Sequence, residues 1–205
     1  MSADLLARPH VWQPGSGSPP LLFLHGTGGD EHDLLVLRQH LAPDAPVLSP
    51  RGTVSEHGLA RFFRRLEEGG FDEDDLRLRA DELAAFLVAA EHKYDVPPGS
   101  WLAVGFSNGA NMASALLLRH PGALVGAVLL AAMVPFAADE PSDHALAGKR
   151  MLIVNGDNDP IRAALATLLF VAPTKNVARF TPKNTPGMYA CRTWRRVTRL
   201  PVERR

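Results

Sequence analysis

Cysteine is almost missing. Cys191 is the only one in 205 residues, which excludes an internal disulfide framework and fits a reducing compartment. Neither sign of charge is in excess: 22 Lys and Arg stand against 22 Asp and Glu, so the overall balance does not point to nucleic acid. No apolar run approaches the roughly 18 uninterrupted residues of a membrane span. Met1 to His10 has no long apolar stretch after a basic patch, so no signal peptide is visible. No internal repeat or long low-complexity segment appears. These absences lead to the expectation of a soluble cytoplasmic protein with no nucleic-acid or membrane partner, and no cofactor or metal is called for. A hydrophobic fraction of 46% suits one domain with a full core.

Two further shortages are local. Residues 1–160 carry 12 basic and 21 acidic side chains, whereas residues 161–205 carry 10 basic and one acidic. None of the eight histidines lies beyond His144. The break divides the chain into a core, 1–160, and an atypical basic tail, 161–205, whose fold is uncertain.

What is present is organised around residues 101–118. A short apolar run from Trp101 reads as a buried strand, and Met112, Ala113, Leu116 and Leu117 recur at helical spacing. Gly105-Phe106-Ser107-Asn108-Gly109 stands between them as a G-x-S-x-G, the nucleophile-elbow pattern in its strand–turn–helix setting. Such a sharp turn crowds its neighbours, hence glycine two before and two after Ser107. The competing reading is a tight turn with a serine N-cap.

Taken in order, residues 11–19 read as a loop and Leu21 to His25 as a buried strand running into the flexible turn Gly26 to Gly29. Asp30 to Asp33 can cap a helix carrying Leu34, Leu37 and Leu41 on one face. Pro46 to Ser49 is a second strand. Residues 53–75 are a long excursion ending in Asp72 to Asp75, read as an acidic helix start in preference to a metal loop. The helix that follows places Leu76, Ala80, Leu83, Leu87 and Ala90 on one face. Further strands are expected at Ala127 to Val134 and Arg150 to Asn155. Strands alternating with helices argue a mostly parallel α/β sheet with helices on both faces, its C-terminal part incomplete.

Function in such a sheet gathers beyond the C-terminal strand ends. The Thr27 amide can donate to an oxyanion, and the Asn108 amide, directly after the nucleophile, is the second donor. A phosphate loop at Gly26 to Gly29 is disfavoured: no Gly-Lys-Ser/Thr follows, and Asp30 and Glu31 would repel phosphate. His25 is a candidate base but reads better as structural. Ser107 needs a neighbouring imidazole to take its proton. A buried carboxylate in Asp157 to Pro160 can orient such a histidine.

Together these residues resemble the small α/β-hydrolases of the carboxylesterase/phospholipase and acyl-protein thioesterase group. The matching pieces are Leu24 to Glu31, Ser49 to Gly52, Arg61 to Arg64, Gly105 to Asn111 and Gly156 to Pro160. The resemblance implies a lidless fold acting on short acyl esters, thioesters or lysophospholipid-like substrates through an acyl-enzyme. It gives Ser107 the nucleophile role, Asp159 the acid role and Thr27 and Asn108 the oxyanion amides. It places Met133, Val134 and Phe63 at the substrate. Dimerisation is compatible with the sequence and undecided by it.

The family's histidine stands in a Gly-His motif after the aspartate, and none follows Asp159 here. Two accounts of the tail stay open. One is a reading-frame change shortly after Pro160. The codons for Asn184 to Ala190, read from the third base, permit His-Pro-Gly-His-Val-Arg. The other is a divergent basic tail that binds an acidic partner. Within the tail, 163–171 can form a short helix and 176–180 a last strand. The expected function is accordingly a serine hydrolase, or alternatively a catalytically impaired ligand-binding protein on the same fold.

Overall fold

The computed structural model describes residues 5–67, 70–133, 135–136, 146–154 and 177–180. Its frame is a seven-stranded sheet. The strands are β1 (His10–Gln13), β2 (Leu21–Leu24), β3 (Val47–Pro50), β8 (Trp101–Phe106), β9 (Leu124–Leu130), β10 (Arg150–Val154) and β11 (Val177–Phe180). Their order is β1-β3-β2-β8-β9-β10-β11. Only β1 runs antiparallel, against β3; the other neighbours are parallel. β11 lies in the basic tail, where the sequence allows a last strand without calling for one, and continues the sheet beyond β10.

Side chains alternate across the sheet, and this divides the core. Leu22 and Leu24 of β2, with Leu48 and Ala103, belong to the larger cluster on one face. Leu21 and Phe23, with Val47 and Val104, form a smaller cluster on the other. β2 is buried on both faces, which explains why it reads as one continuous apolar run. The large face is covered by α2 (Glu73–Tyr94) and α3 (Asn108–Arg119), which contribute Leu76, Leu83, Leu87, Met112 and Leu116. Against the small face pack Leu34, Leu35 and Leu37.

The Asp72 carboxylate caps α2, accepting from the Asp75 N–H at 3.0 Å. The acidic run is thus a helix start. Its charges meet arginines, Asp72 with Arg64 at 3.0 Å and Glu73 with Arg77 at 3.0 Å. Among the described residues no group of His, Cys, Asp and Glu could hold a metal ion, and no helix is long and apolar enough to cross a membrane.

Two expectations are corrected. Residues 11–19 are not all loop: β1 occupies His10–Gln13, with Trp12 stacked on Tyr94 at 4.4 Å. The Pro, Gly and Ser that suggested a loop begin only at Pro14. Nor does Asp30 to Leu41 make a full helix. A 3₁₀ turn at Leu35–Leu37 leads into the four-residue α1 (Arg38–Leu41). The Asp30 carboxylate accepts from the His32 N–H at 2.7 Å, and Leu41 is 53% exposed. The leucine spacing is real, but Pro43 follows too soon for such a segment to repay helix nucleation.

The long excursion folds as two hairpins. β4 (Val54–Glu56) pairs with β5 (Leu59–Arg61) through His57 and Gly58, whose φ values are 52° and 80°. Two consecutive positive φ values are the primed turn that suits a twisted hairpin. β6 (Arg65–Glu67) pairs with β7 (Gly70–Phe71). The expected helix over 163–171, and the rest of the tail apart from β11, lie outside the described residues.

Candidate active site

Ser107 sits where β8 becomes α3, at φ 50° and ψ −108°. That is a strained conformation for a residue with a side chain, one that costs about 1–3 kcal/mol. The surroundings enforce it. The Ser107 N–H donates to the Leu130 carbonyl at 2.8 Å, and its carbonyl accepts from the Asn111 N–H at 3.0 Å. A side chain at Gly105 would lie 2.6 Å from the Gly109 carbonyl oxygen, and one at Gly109 would lie 2.5 Å from that of His25. Both glycines are therefore steric requirements. The Ser107 side chain makes no capping hydrogen bond, so the N-cap alternative does not describe it. Its hydroxyl has no partner among the described residues.

The close approach at Gly109 also places the start of α3 against the end of β2, where the turn Gly26 to Gly29 begins. Thr27 is exposed at that turn. Gly28, at φ 81°, anchors the turn by donating to the Ala60 carbonyl at 2.9 Å. The backbone amides of Thr27 and Asn108 thus sit on neighbouring segments, neither bonded to an acceptor among the described residues. Two exposed apolar side chains flank the loop. The Phe106 ring lies over Gly26, where a Cβ would be 2.7 Å from it, and Leu59 lies over Gly28. They are 47% and 49% exposed.

His25 is a hub and not a free base. It is 1% exposed. Its Nδ1 donates to the Gly26 carbonyl at 2.6 Å, and its Nε2 accepts from the Gly52 N–H at 2.9 Å. This pairing specifies the neutral imidazole. Burial pushes its pKa below the ordinary 6.5, against weaker opposing pulls from the Gly26 carbonyl, Asp33, Asp30 and Glu31. The Phe62 ring lies 4.7 Å from the His25 ring. Glu31, in the same segment, accepts from two Arg51 nitrogens, Nε and, at 2.8 Å, a terminal one. That bond holds the Glu31 carboxyl below its usual range.

Two other described histidines stand elsewhere. His120 bonds Asp81 at 2.7 Å beyond the far end of α3, and His10 bonds the Tyr94 hydroxyl at 2.7 Å. No described histidine bonds Ser107. Met133 is half-buried just after β9. Phe63 is 0% exposed and packs edge-on against Phe71 at 5.1 Å, so its side chain offers no surface to a ligand here. Val134, Asp157 and Asp159 lie outside the described residues.

Sequence reasoning missed the side chains of Asn108 and Asn111. Asn108 Oδ1 accepts from the Phe62 N–H at 2.7 Å, and Asn111 Oδ1 from the Met133 N–H at 2.7 Å. Their signal was two asparagines in the first turn of a mostly apolar helix. It also missed that the Phe106 side chain lies over Gly26, and it missed Leu59 and the Glu31–Arg51 pair, which only the fold brings to the nucleophile's side of the sheet.

A parallel sheet with an antiparallel first strand and a strained serine at a strand-to-helix turn is an α/β-hydrolase arrangement. The chain is 45% identical over 152 residues to the protein named "Putative hydrolase MhqD" of Bacillus subtilis (strain 168), covering 74% of this chain and 75% of that one. The solved carboxylesterase of Bacillus cereus is 45% identical with a TM-score of 0.79, over 85% of this chain and 84% of the other. The carboxylesterase of Mesorhizobium loti is 30% identical with a TM-score of 0.79, over 87% of each. No protein-family model matches the chain. The chain belongs to the carboxylesterase-like family of α/β-hydrolases.

Proposed function

We propose that the chain is a serine hydrolase that cleaves carboxylic esters, or thioesters, of small acyl groups through an acyl-enzyme at Ser107. The observation that carries this reading is the Ser107 backbone, held at a positive φ at the start of a helix with its hydroxyl bonded to no described residue. Ser107 Oγ attacks the acyl carbon and its proton passes to a base. The Thr27 and Asn108 amides meet the oxyanion, and the alcohol or thiol leaves. Water then attacks the acyl-enzyme, releasing the acid and restoring Ser107. Asp159 is the residue assigned to orient the base. Met133 and Val134 are the residues assigned to the substrate side. A reducing interior such as the cytoplasm suits the single Cys191.

The second reading is a ligand-binding protein on the hydrolase fold that has lost turnover. One observation favours it: His25 has both nitrogens occupied, and no histidine follows His144. Without a base the oxyanion amides still sustain roughly 10³-fold acceleration over water. Hydrolysis of p-nitrophenyl acetate by the purified protein and by Ser107→Ala separates the two. A measurable rate lost in Ser107→Ala supports the enzyme. Equal background rates in both leave the binding protein.

A further inference from the structure

We infer that Asn108 and Asn111 are positioning residues of the Ser107 site. Their side-chain carbonyls fix the loops on its two sides: Asn108 the oxyanion side, Asn111 the substrate side. The inference rests on the Ser107 reading above and assigns it two residues acting through others.

The placement follows from the sheet. β8 ends in the elbow and lies between β2 and β9. Asn108 reaches toward the β2 side, to the Phe62 N–H, and Asn111 toward the β9 side, to the Met133 N–H, each at 2.7 Å. The two amides are 2% and 4% exposed, so solvent cannot replace either bond. They stand three residues apart on one helix, which puts both carbonyls on related faces of its first turn.

Each anchored loop has a distinct task. The Phe62 segment is also tied to the oxyanion turn, since Ala60 accepts from Gly28 at 2.9 Å and the Phe62 ring lies against His25 at 4.7 Å. Asn108 thereby links the nucleophile's helix to the loop that carries the Thr27 amide. The Met133 segment follows Ala131, at φ 53°, whose N–H donates to the Val154 carbonyl at 2.8 Å. Asn111 sets how closely that segment stands to Ser107.

Stability alone does not account for Asn108. Its Oδ1 must face the Phe62 N–H, which leaves Nδ2 buried without an acceptor among the described residues. An unsatisfied buried donor costs about 1–3 kcal/mol, comparable to or more than the about 1 kcal/mol the accepted bond contributes. Asparagine is also a poor helix former. A serine or threonine is too short to substitute for the carbonyl, and a carboxylate would bring a charge into the core. What the asparagine provides is an uncharged acceptor at a set distance from the nucleophile.

The test uses Asn108→Leu and Asn111→Leu in the full chain. It pairs p-nitrophenyl acetate kinetics with residue-resolved amide exchange of Phe62 and Met133. Asn108→Leu is expected to lower kcat on the order of 10- to 100-fold, as for a misplaced catalytic group, with KM nearly unchanged and only the Phe62 amide exchanging faster. Asn111→Leu is expected to raise KM roughly tenfold, the equivalent of one lost contact, with kcat nearly unchanged and only the Met133 amide exchanging faster. A uniform loss in both variants that tracks their melting temperatures would overturn the assignment. If the leucine variants do not fold, the wild-type exchange decides: Phe62 and Met133 amides as labile as those of neighbouring exposed loops would overturn it equally. A wild type with no turnover and no covalent labelling by a fluorophosphonate sinks the Ser107 reading instead. The loop-fixing bonds are then still judged by exchange, and the positioning role falls with the nucleophile it serves.

Discussion

At Gly109 a side chain would meet the His25 carbonyl oxygen at 2.5 Å, and backbone cannot yield as the end of a flexible side chain can. Gly109→Ala is therefore expected to cost about 1–3 kcal/mol, read as a lower urea midpoint, and to displace the amide that follows Ser107. His25 makes a pH-dependent counterpart. Its folded pKa lies below the unfolded 6.5. As pH falls through 6.5 the unfolded chain takes a proton that the folded chain refuses, so stability drops until the folded pKa is reached. His25→Gln should flatten that part of the urea-midpoint profile, by at most about 1.4 kcal/mol per pH unit. A profile unchanged by the substitution would mean that the hub is not neutral. Glu31 and Asp81, held down by Arg51 and Arg119, act lower. Their contribution is present above the ordinary carboxylate range and is lost as pH falls through their folded values. At this scale the elbow was legible because its steric demand puts small residues at fixed offsets from Ser107. The carbonyls of Asn108 and Asn111 were not, because their partners stand 46 and 22 residues away.

Among the elements, α2 was read most fully, because two signals agreed, an acidic start and an apolar stripe; its stop at Asp95, left-handed at φ 55°, emerged only in the structure. Asp72→Ala removes the capping carboxylate and is expected to cost about 1 kcal/mol, measured by urea unfolding. A cost near zero would mean that the neighbouring acids carry the helix start. The hairpins of β4 to β7 escaped reading, since strands of two or three residues leave no periodicity to find. The segment after Asp33 misled for the opposite reason. Leu34 and Leu37 keep helical spacing while serving only to cover Leu21, Phe23, Val47 and Val104 on the thinner face of the sheet.

For the molecule as a whole, burial predicts unequal sensitivity. Leu24→Ala, in the larger cluster beneath α3, should cost about 2–5 kcal/mol, whereas Val36→Ala, at a side chain 58% exposed, should stay within about 0.5 kcal/mol. Thermal melts of both variants check the contrast. The alternation of strands and helices made the parallel sheet readable, while the strand order was not written in any local signal. The tail is a question of composition before structure. Sequencing the DNA for residues 155–205 and weighing the intact protein tests the frame account. A one- or two-base correction that restores Gly-His near Gly187 would supply the missing base, and a confirmed tail would favour the impaired reading.

The bond between Ser107 and Leu130, the turn at Gly28 and the carbonyls of Leu24 and His25 come from stretches far apart along the chain. Their assembly waits on non-local strand pairing, the slow part of folding for such a topology. The serine therefore reaches its strained conformation only when β2, β8 and β9 are already side by side. Covalent capture of Ser107 during refolding would act as a clock for completion of the central sheet, lagging behind the appearance of α2.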